Sequence, residues 1–194
     1  MTAMTKESLE QKQYLTFLLA NEECGISILK VREIIEYVAV TTVPKAPKWA
    51  RGVINLRGSV VPVVDLAAKF GMEQKPVSKT TCIVIVETQF EGQDVTIGVL
   101  ADAVSQVLEL SDEDIRPVPD FGTQVEMDYL LGMAQLGRKF ALLLDVDKVL
   151  TREELHDLSE VSAYAEHAAA EESIIWEPPM PLVEGDETRD LPAE

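Results

Sequence analysis

Two stretches 80 residues apart restrict what this chain can fold into. Gly52-Val-Ile-Asn-Leu-Arg-Gly58-Ser-Val-Val-Pro-Val-Val-Asp65-Leu parallels Gly132-Met-Ala-Gln-Leu-Gly137-Arg-Lys-Phe-Ala-Leu-Leu-Leu-Asp145-Val. Ahead of each block the order is also shared. In the first half a strand-like run and a turn lead to Gly25-Ile-Ser-Ile-Leu and then Val31-Arg-Glu-Ile-Ile. In the second half they lead to Gly98-Val-Leu and Val104-Ser-Gln-Val-Leu, 73 residues on. A repeat of this length is one supersecondary unit used twice. Each unit is too small to bury a good core alone, so the two must pack on one another as small barrels.

The runs between turns are strand-like. Tyr14–Leu19, Thr81–Val86, Val95–Leu100 and Lys139–Leu144 are aliphatic or β-branched and of strand length. Turns are expected at Asn21–Gly25 and Glu91–Asp94. Short helical pieces are expected at Ile28–Tyr37 and Leu66–Phe70, the second capped by Asp65. Thr151-Arg-Glu-Glu154 fits a capping box, and Leu155, Leu158, Val161 and Ala165 follow at the spacing of one buried helical face.

The expected organisation is therefore a flexible N-terminus (1–12), a mainly β body (13–154), a C-terminal helix (151–170) and an acidic, Pro-containing disordered tail (171–194). Net charge is −17, and residues 155–194 hold 11 acidic side chains against Arg189 alone. That balance lacks the basic footprint nucleic acid requires and disfavours anionic lipid. No apolar run reaches membrane-spanning length and no secretory h-region opens the chain, so a cytoplasmic location is expected. Cys24 and Cys82 sit in apolar strand-like segments and are expected to be buried free thiols.

Chemistry is hard to find. Both histidines, His156 and His167, lie in the acidic C-terminal region, leaving the body without the commonest general base or a histidine metal site. Asp65 and Asp145 occupy matching positions, which keeps a carboxylate enzyme as a competing reading. Their contexts lack the Thr/Ser-Gly of paired-carboxylate proteases, and capping roles are expected instead. Gly52–Gly58 has no Gly-Lys-Ser/Thr after it to cradle phosphate. Ser111-Asp-Glu-Asp114 lacks EF-hand spacing and is expected to be a capped, solvated turn. No catalytic residue, metal or cofactor is expected. Lys30, Arg32, Lys45, Lys48, Arg51 and Arg57 form a local basic excess over Glu33 and Glu36 that would suit an acidic partner. Arg57 lies on a tight turn, where interface contact and internal pairing both fit.

Several segments resemble the chemotaxis coupling protein (CheW) family. They are Ile28-Leu-Lys-Val-Arg-Glu-Ile-Ile, Arg51-Gly-Val-Ile-Asn-Leu-Arg-Gly-Ser-Val-Val-Pro-Val-Val-Asp-Leu66, Ile115-Arg-Pro-Val-Pro and Tyr129-Leu-Leu-Gly-Met…Leu142-Leu-Leu-Asp-Val-Asp-Lys-Val-Leu150. The resemblance covers residues 12–160 in order. It implies two SH3-like five-stranded barrels and a non-enzymatic adaptor. The implied partners are the regulatory domain of the chemotaxis histidine kinase and the cytoplasmic tip of a methyl-accepting chemoreceptor, in motility or in another chemosensory pathway. By motif position it implies kinase-side contacts at Val31, Gly52 and Phe121, and receptor-side contacts at Glu33, Ile34 and Arg57. The extended tail departs from the family's usual ending.

Overall fold

The computed structural model describes residues 12–118 and 128–175, the last five as backbone. Eleven strands and two α-helices follow one another as β1 (Lys12–Leu19), β2 (Glu22–Ser27), β3 (Val31–Glu36), β4 (Ala50–Leu56), β5 (Ser59–Val64), α1 (Leu66–Lys69), β6 (Cys82–Phe90), β7 (Gln93–Ala101), β8 (Ala103–Leu110), β9 (Ile115–Arg116), β10 (Leu130–Leu136), β11 (Lys139–Leu144) and α2 (Arg152–Ile175). They form a five-stranded sheet in the order β3-β6-β7-β5-β4 and a six-stranded sheet in the order β8-β1-β2-β11-β10-β9.

The repeat survives in this topology with its hairpins exchanged. The β1–β2 hairpin opens the first repeat but joins the second sheet, where β2 runs parallel to β11. The β6–β7 hairpin opens the second repeat but joins the first sheet, where β7 runs parallel to β5. Under this exchange β3-β6-β7-β5-β4 corresponds to β8-β1-β2-β11-β10. The extra strand, β9, matches an isolated bridge from Thr41 to Val53 in the first sheet. The body is two SH3-like barrels, each built from pieces of both halves of the chain.

Side-chain alternation along the exchanged hairpins explains the core. In β1, Tyr14 faces a cluster inside the second barrel with Leu110, Ala134 and Leu143, while Leu15, Phe17 and Leu19 face the first barrel. In β6, Ile83 and Ile85 fill the first barrel with Ile54, Val61 and Val63, while Val84 and Val86 face the second. The largest cluster therefore lies between the barrels, joining Phe17, Ile26, Val84, Ile97 and Leu144 with Leu155 and Leu158 of α2. Neither barrel buries its hairpin without the other, as the size of each unit requires.

Local expectations divide. Asp65 Oδ1 accepts the Ala68 N–H at 3.0 Å and caps α1. The Thr151 capping box forms, with the Thr151 N–H donating to Glu154 Oε2 at 2.7 Å and the Glu154 N–H to Thr151 Oγ1 at 3.2 Å. Asp114 accepts from the Ser111 hydroxyl and N–H, and those bonds hold its carboxyl below the ordinary range. The helix expected over Ile28–Tyr37 is wrong beyond its first turn. Ile28–Lys30 form one 3-10 turn, and Val31–Glu36 pair with β6. Ile28, Val31 and Ile35 mimic a helical spacing, but β-branched residues beside an unpaired strand edge favour the ladder. The turn expected at Asn21–Gly25 contracts to Ala20–Asn21, both at positive φ, and Cys24 and Gly25 are strand residues. α2 buries Leu155, Leu158 and Val161 and continues to Ile175. Residues 176–194 lie outside the described ones.

Both thiols are free and buried. Burial, then the fields of Glu22 and Glu23, pushes the Cys24 thiol up to about 12. An unfolded thiol ionises near about 8.5, so this contribution to stability is complete below that pH and is lost as pH rises towards the folded value. Between pH 7.5 and pH 10 the wild-type chain is expected to lose about 2 kcal/mol more than Cys24→Ala, from a slope of about 1.4 kcal/mol per pH unit above the unfolded pKa. Urea titrations of both chains at the two pH values measure it. The cavity left by the substitution is present at both pH values and cancels. Equal losses would mean that Cys24 does not govern the alkaline limb.

Candidate functional site

The first sheet curls until its two edges meet. Arg57, on the β4–β5 turn, reaches Glu33 of β3, the opposite edge strand. Arg57 Nη1 donates to Glu33 Oε1 at 2.7 Å and Nη2 to Oε2 at 2.8 Å. The turn itself fixes where the guanidinium starts. Arg57 and Gly58 are its two central residues, at φ +52 and +90, the type I′ pattern that suits tight hairpins. Asn55 Oδ1 accepts the Gly58 N–H at 2.8 Å and locks it. The Arg57 side chain is 76% exposed and that of Glu33 27%. Hydrogen bonding to Glu33, then its charge, raises the Arg57 pKa further. The fork geometry is directional, but the pair stands in water and holds little of the fold together.

Glu33 and Arg57 form one wall of a groove of about 570 Å³; α2 forms the other with Leu158, Ser162, Ala163 and Glu166. The floor is apolar, made by Leu56, Val60, Pro62 and Ile85, and the rim is polar, with Asp94, Thr96 and Ser159. Arg32 stands at one end, 3.2 Å from Glu87 and donating to Thr96 Oγ1 at 3.2 Å. An apolar floor inside a charged rim fits a protein segment with side chains of both kinds. Among the described residues, no group of three or more His, Cys, Asp or Glu side chains is placed to hold a metal ion. Asp65 and Asp145 both serve backbone: Asp65 caps α1, and Asp145 Oδ1 accepts the Asp147 N–H at 3.1 Å.

The six residues singled out from sequence do not form one patch. Glu33 and Arg57 come together. Ile34, 45% exposed, points to the opposite face of β3. Val31, at the start of the same strand, is half-buried against the inter-barrel core. Gly52 is buried at a bulge in β4, at φ +137 beside the Thr41 carbonyl. Phe121 lies outside the described residues.

The basic excess between Lys30 and Arg57 is mostly neutralised from elsewhere in the chain, which corrects the expectation of an open basic face. Lys30 lies 2.6 Å from Asp147, Arg32 pairs with Glu87, Arg51 is 3.9 Å from Asp65, and Arg57 holds Glu33. Among the described residues, Lys45 and Lys48 have no ion-pair partner. Sequence reasoning also missed the α2 wall. The helical period announced a buried face but not its flanks, which are set by how the helix lies across β4 and β5.

Comparison with known proteins places this geometry among relatives. Residues 13–154 match the sequence model of the CheW-like domain. A chemotaxis protein CheW from Klebsiella aerogenes is 40% identical over 144 residues, 74% of this chain and 84% of that protein. Its counterpart from Rhizobium meliloti is 36% identical over 143 residues, covering 74% and 90%. The crystal structure of the scaffolding protein TtCheW from Thermoanaerobacter tengcongensis superposes with a TM-score of 0.65 at 30% identity, covering 77% of this chain and 94% of that one.

Proposed function

This chain belongs to the CheW-like domain family, and on that footing we propose that it is a chemotaxis adaptor that couples chemoreceptors to a histidine kinase by binding both, without turnover. The observation that carries the receptor side is the bidentate Glu33–Arg57 pair, presented on the rim of an open groove by a locked turn. A guanidinium that is already oriented loses little further freedom when it meets a polar partner. The groove between barrel and α2 receives the cytoplasmic tip of a methyl-accepting chemoreceptor. The kinase's regulatory domain docks on the β3 side, where Val31 and the exposed Ile34 lie on the face away from that groove, and near Phe121. Opposite faces of one strand then contact two partners, which is the minimum a coupling element requires.

The protein acts in the cytoplasm and reaches the membrane through its receptor; no described helix is long and apolar enough to cross a bilayer. The test is kinase autophosphorylation with receptor signalling fragments, with and without this chain. Kinase activity is expected to come under receptor control only in its presence. Equal rates in both reactions, with no binding to either component, would overturn the assignment.

A further inference from the structure

The flank of α2 that faces away from the Glu33–Arg57 groove lines a second cavity, of about 280 Å³. Its walls are Tyr164, Ala165 and Ala168 on the helix and Thr41, Val43, Val53 and Ile54 on the barrel. Val43, Val53 and Ile54 are buried, so the floor is apolar. Beside it, the Pro44–Pro47 loop faces Asp157, Glu160 and Val161 of the helix.

Two features of this flank are incomplete. Beyond Ala165 the helix gains almost nothing from the body: of residues 166–170 only Ala168 is half-buried, yet the helix runs to Ile175. Helical turns of this kind need packing to persist in water. Also, Lys45 and Lys48 have no ion-pair partner among the described residues, although the other basic side chains between Lys30 and Arg57 are matched.

The chain continues from Ile175 with Trp176-Glu-Pro-Pro-Met-Pro-Leu-Val183 and then Glu184, Asp186 and Glu187. We infer that residues 176–187 return along this flank of α2, the apolar Trp176–Val183 stretch filling the second cavity and the acidic residues after it facing Lys45 and Lys48. Reach allows it. Ala168 lies about 10 Å along the axis from Ile175 at about 1.5 Å per residue. Eight extended residues span up to about 26 Å at about 3.3 Å each. Pro178, Pro179 and Pro181 have no N–H to continue a helix and none to leave unpaired when an extended segment lies in an apolar cleft. Charge agrees with this order, because the acids come after the apolar stretch, where the chain would meet the Pro44–Pro47 loop. The strap braces the outer turns of α2 and leaves the Glu33–Arg57 groove open on the other flank. It is independent of which partners fill that groove.

The full-length chain carrying Asp186→Cys with a nitroxide label tests this, since Cys24 and Cys82 are buried and the new thiol takes the label. The backbone amide signals of Thr41–Val43, Lys45, Lys48, Ala165 and Ala168 are expected to be broadened away. Adding Lys45→Glu and Lys48→Glu is expected to restore them. The second arm mixes label-bearing chains without nitrogen-15 with nitrogen-15 chains without the label, and there the same signals should remain sharp. Broadening only in the mixture would assign the flank to a second copy and overturn the strap. Uniform weak broadening, or broadening centred on Arg32 and Arg57, would overturn it as well.

Discussion

Gly52→Ala is expected to abolish the cooperative folding of this chain or to lower its stability by about 4 kcal/mol, whereas Gly58→Ala, six residues on, costs about 1 kcal/mol. Gly52 sits where β4 bulges, at φ +137, a conformation that is strained for any residue with a side chain. A Cβ there would overlap the Thr41 carbonyl oxygen and lie 2.7 Å from its carbon. Thr41 cannot step aside. It holds Val53 through two backbone hydrogen bonds of 2.9 Å, and that bridge closes the first barrel. Backbone strain and the two lost bonds together account for the expected figure. Gly58 has a positive φ but no atom within 4 Å of its missing Cβ, so strain alone remains. Urea denaturation followed by circular dichroism measures both.

The same substitution decides what Gly52 does for binding. Its counterpart Gly132 stands at φ +154, with a Cβ position 2.7 Å from the Arg116 carbonyl oxygen and 2.6 Å from Ile115 Cγ2. Both barrels thus meet one need, a strand crossing too close for a side chain. A Gly52 variant that loses kinase binding together with its folding transition has lost the barrel wall. A variant that folds like the wild type and still loses the kinase would return Gly52 to the interface.

Gly52 and Gly132 also show what was legible beforehand. The repeat, the hairpins, the α2 capping box and the Asp65 cap all depend on residues close in sequence, where turn chemistry and spacing act directly. The exchange of hairpins was not legible. β1–β2 and β6–β7 carry the same apolar alternation, and nothing local distinguishes a hairpin that completes its own repeat from one that completes the other. Long-range pairing hid the rest. Lys30 and Arg32 look like an unmatched basic run until Asp147 and Glu87 arrive from the second half of the chain. At Ile28–Tyr37 a helical spacing lost to the open edge of β6, a tertiary effect overriding local pattern. For Arg57, whose interface and internal roles both fitted the sequence, Glu33 establishes the internal pair and the pair's exposure leaves the interface role open to experiment.

Arg57→Glu is expected to remove receptor control of the kinase while leaving the folding transition where it is. The side chain projects from a turn whose geometry rests on Gly58 and Asn55, so the barrel does not need its charge. What the substitution destroys is the fork on the groove rim, replacing an oriented cation with a carboxylate facing Glu33. A receptor segment that meets a positive rim then meets two negative charges, and like-charge contacts of this kind disfavour association strongly. Glu33→Arg combined with Arg57→Glu separates two explanations. It rebuilds the ion pair with its polarity reversed, so a pair that acts as a brace between β3 and the β4–β5 turn would recover coupling. If the guanidinium itself is read by the receptor, the doubly exchanged chain should fold with an unchanged midpoint and still fail to couple. That failure is the expected result. Recovery of receptor-dependent autophosphorylation would make Arg57 a positioning residue that holds Glu33 in place, and would move the recognition surface onto the α2 wall at Ser162 and Glu166.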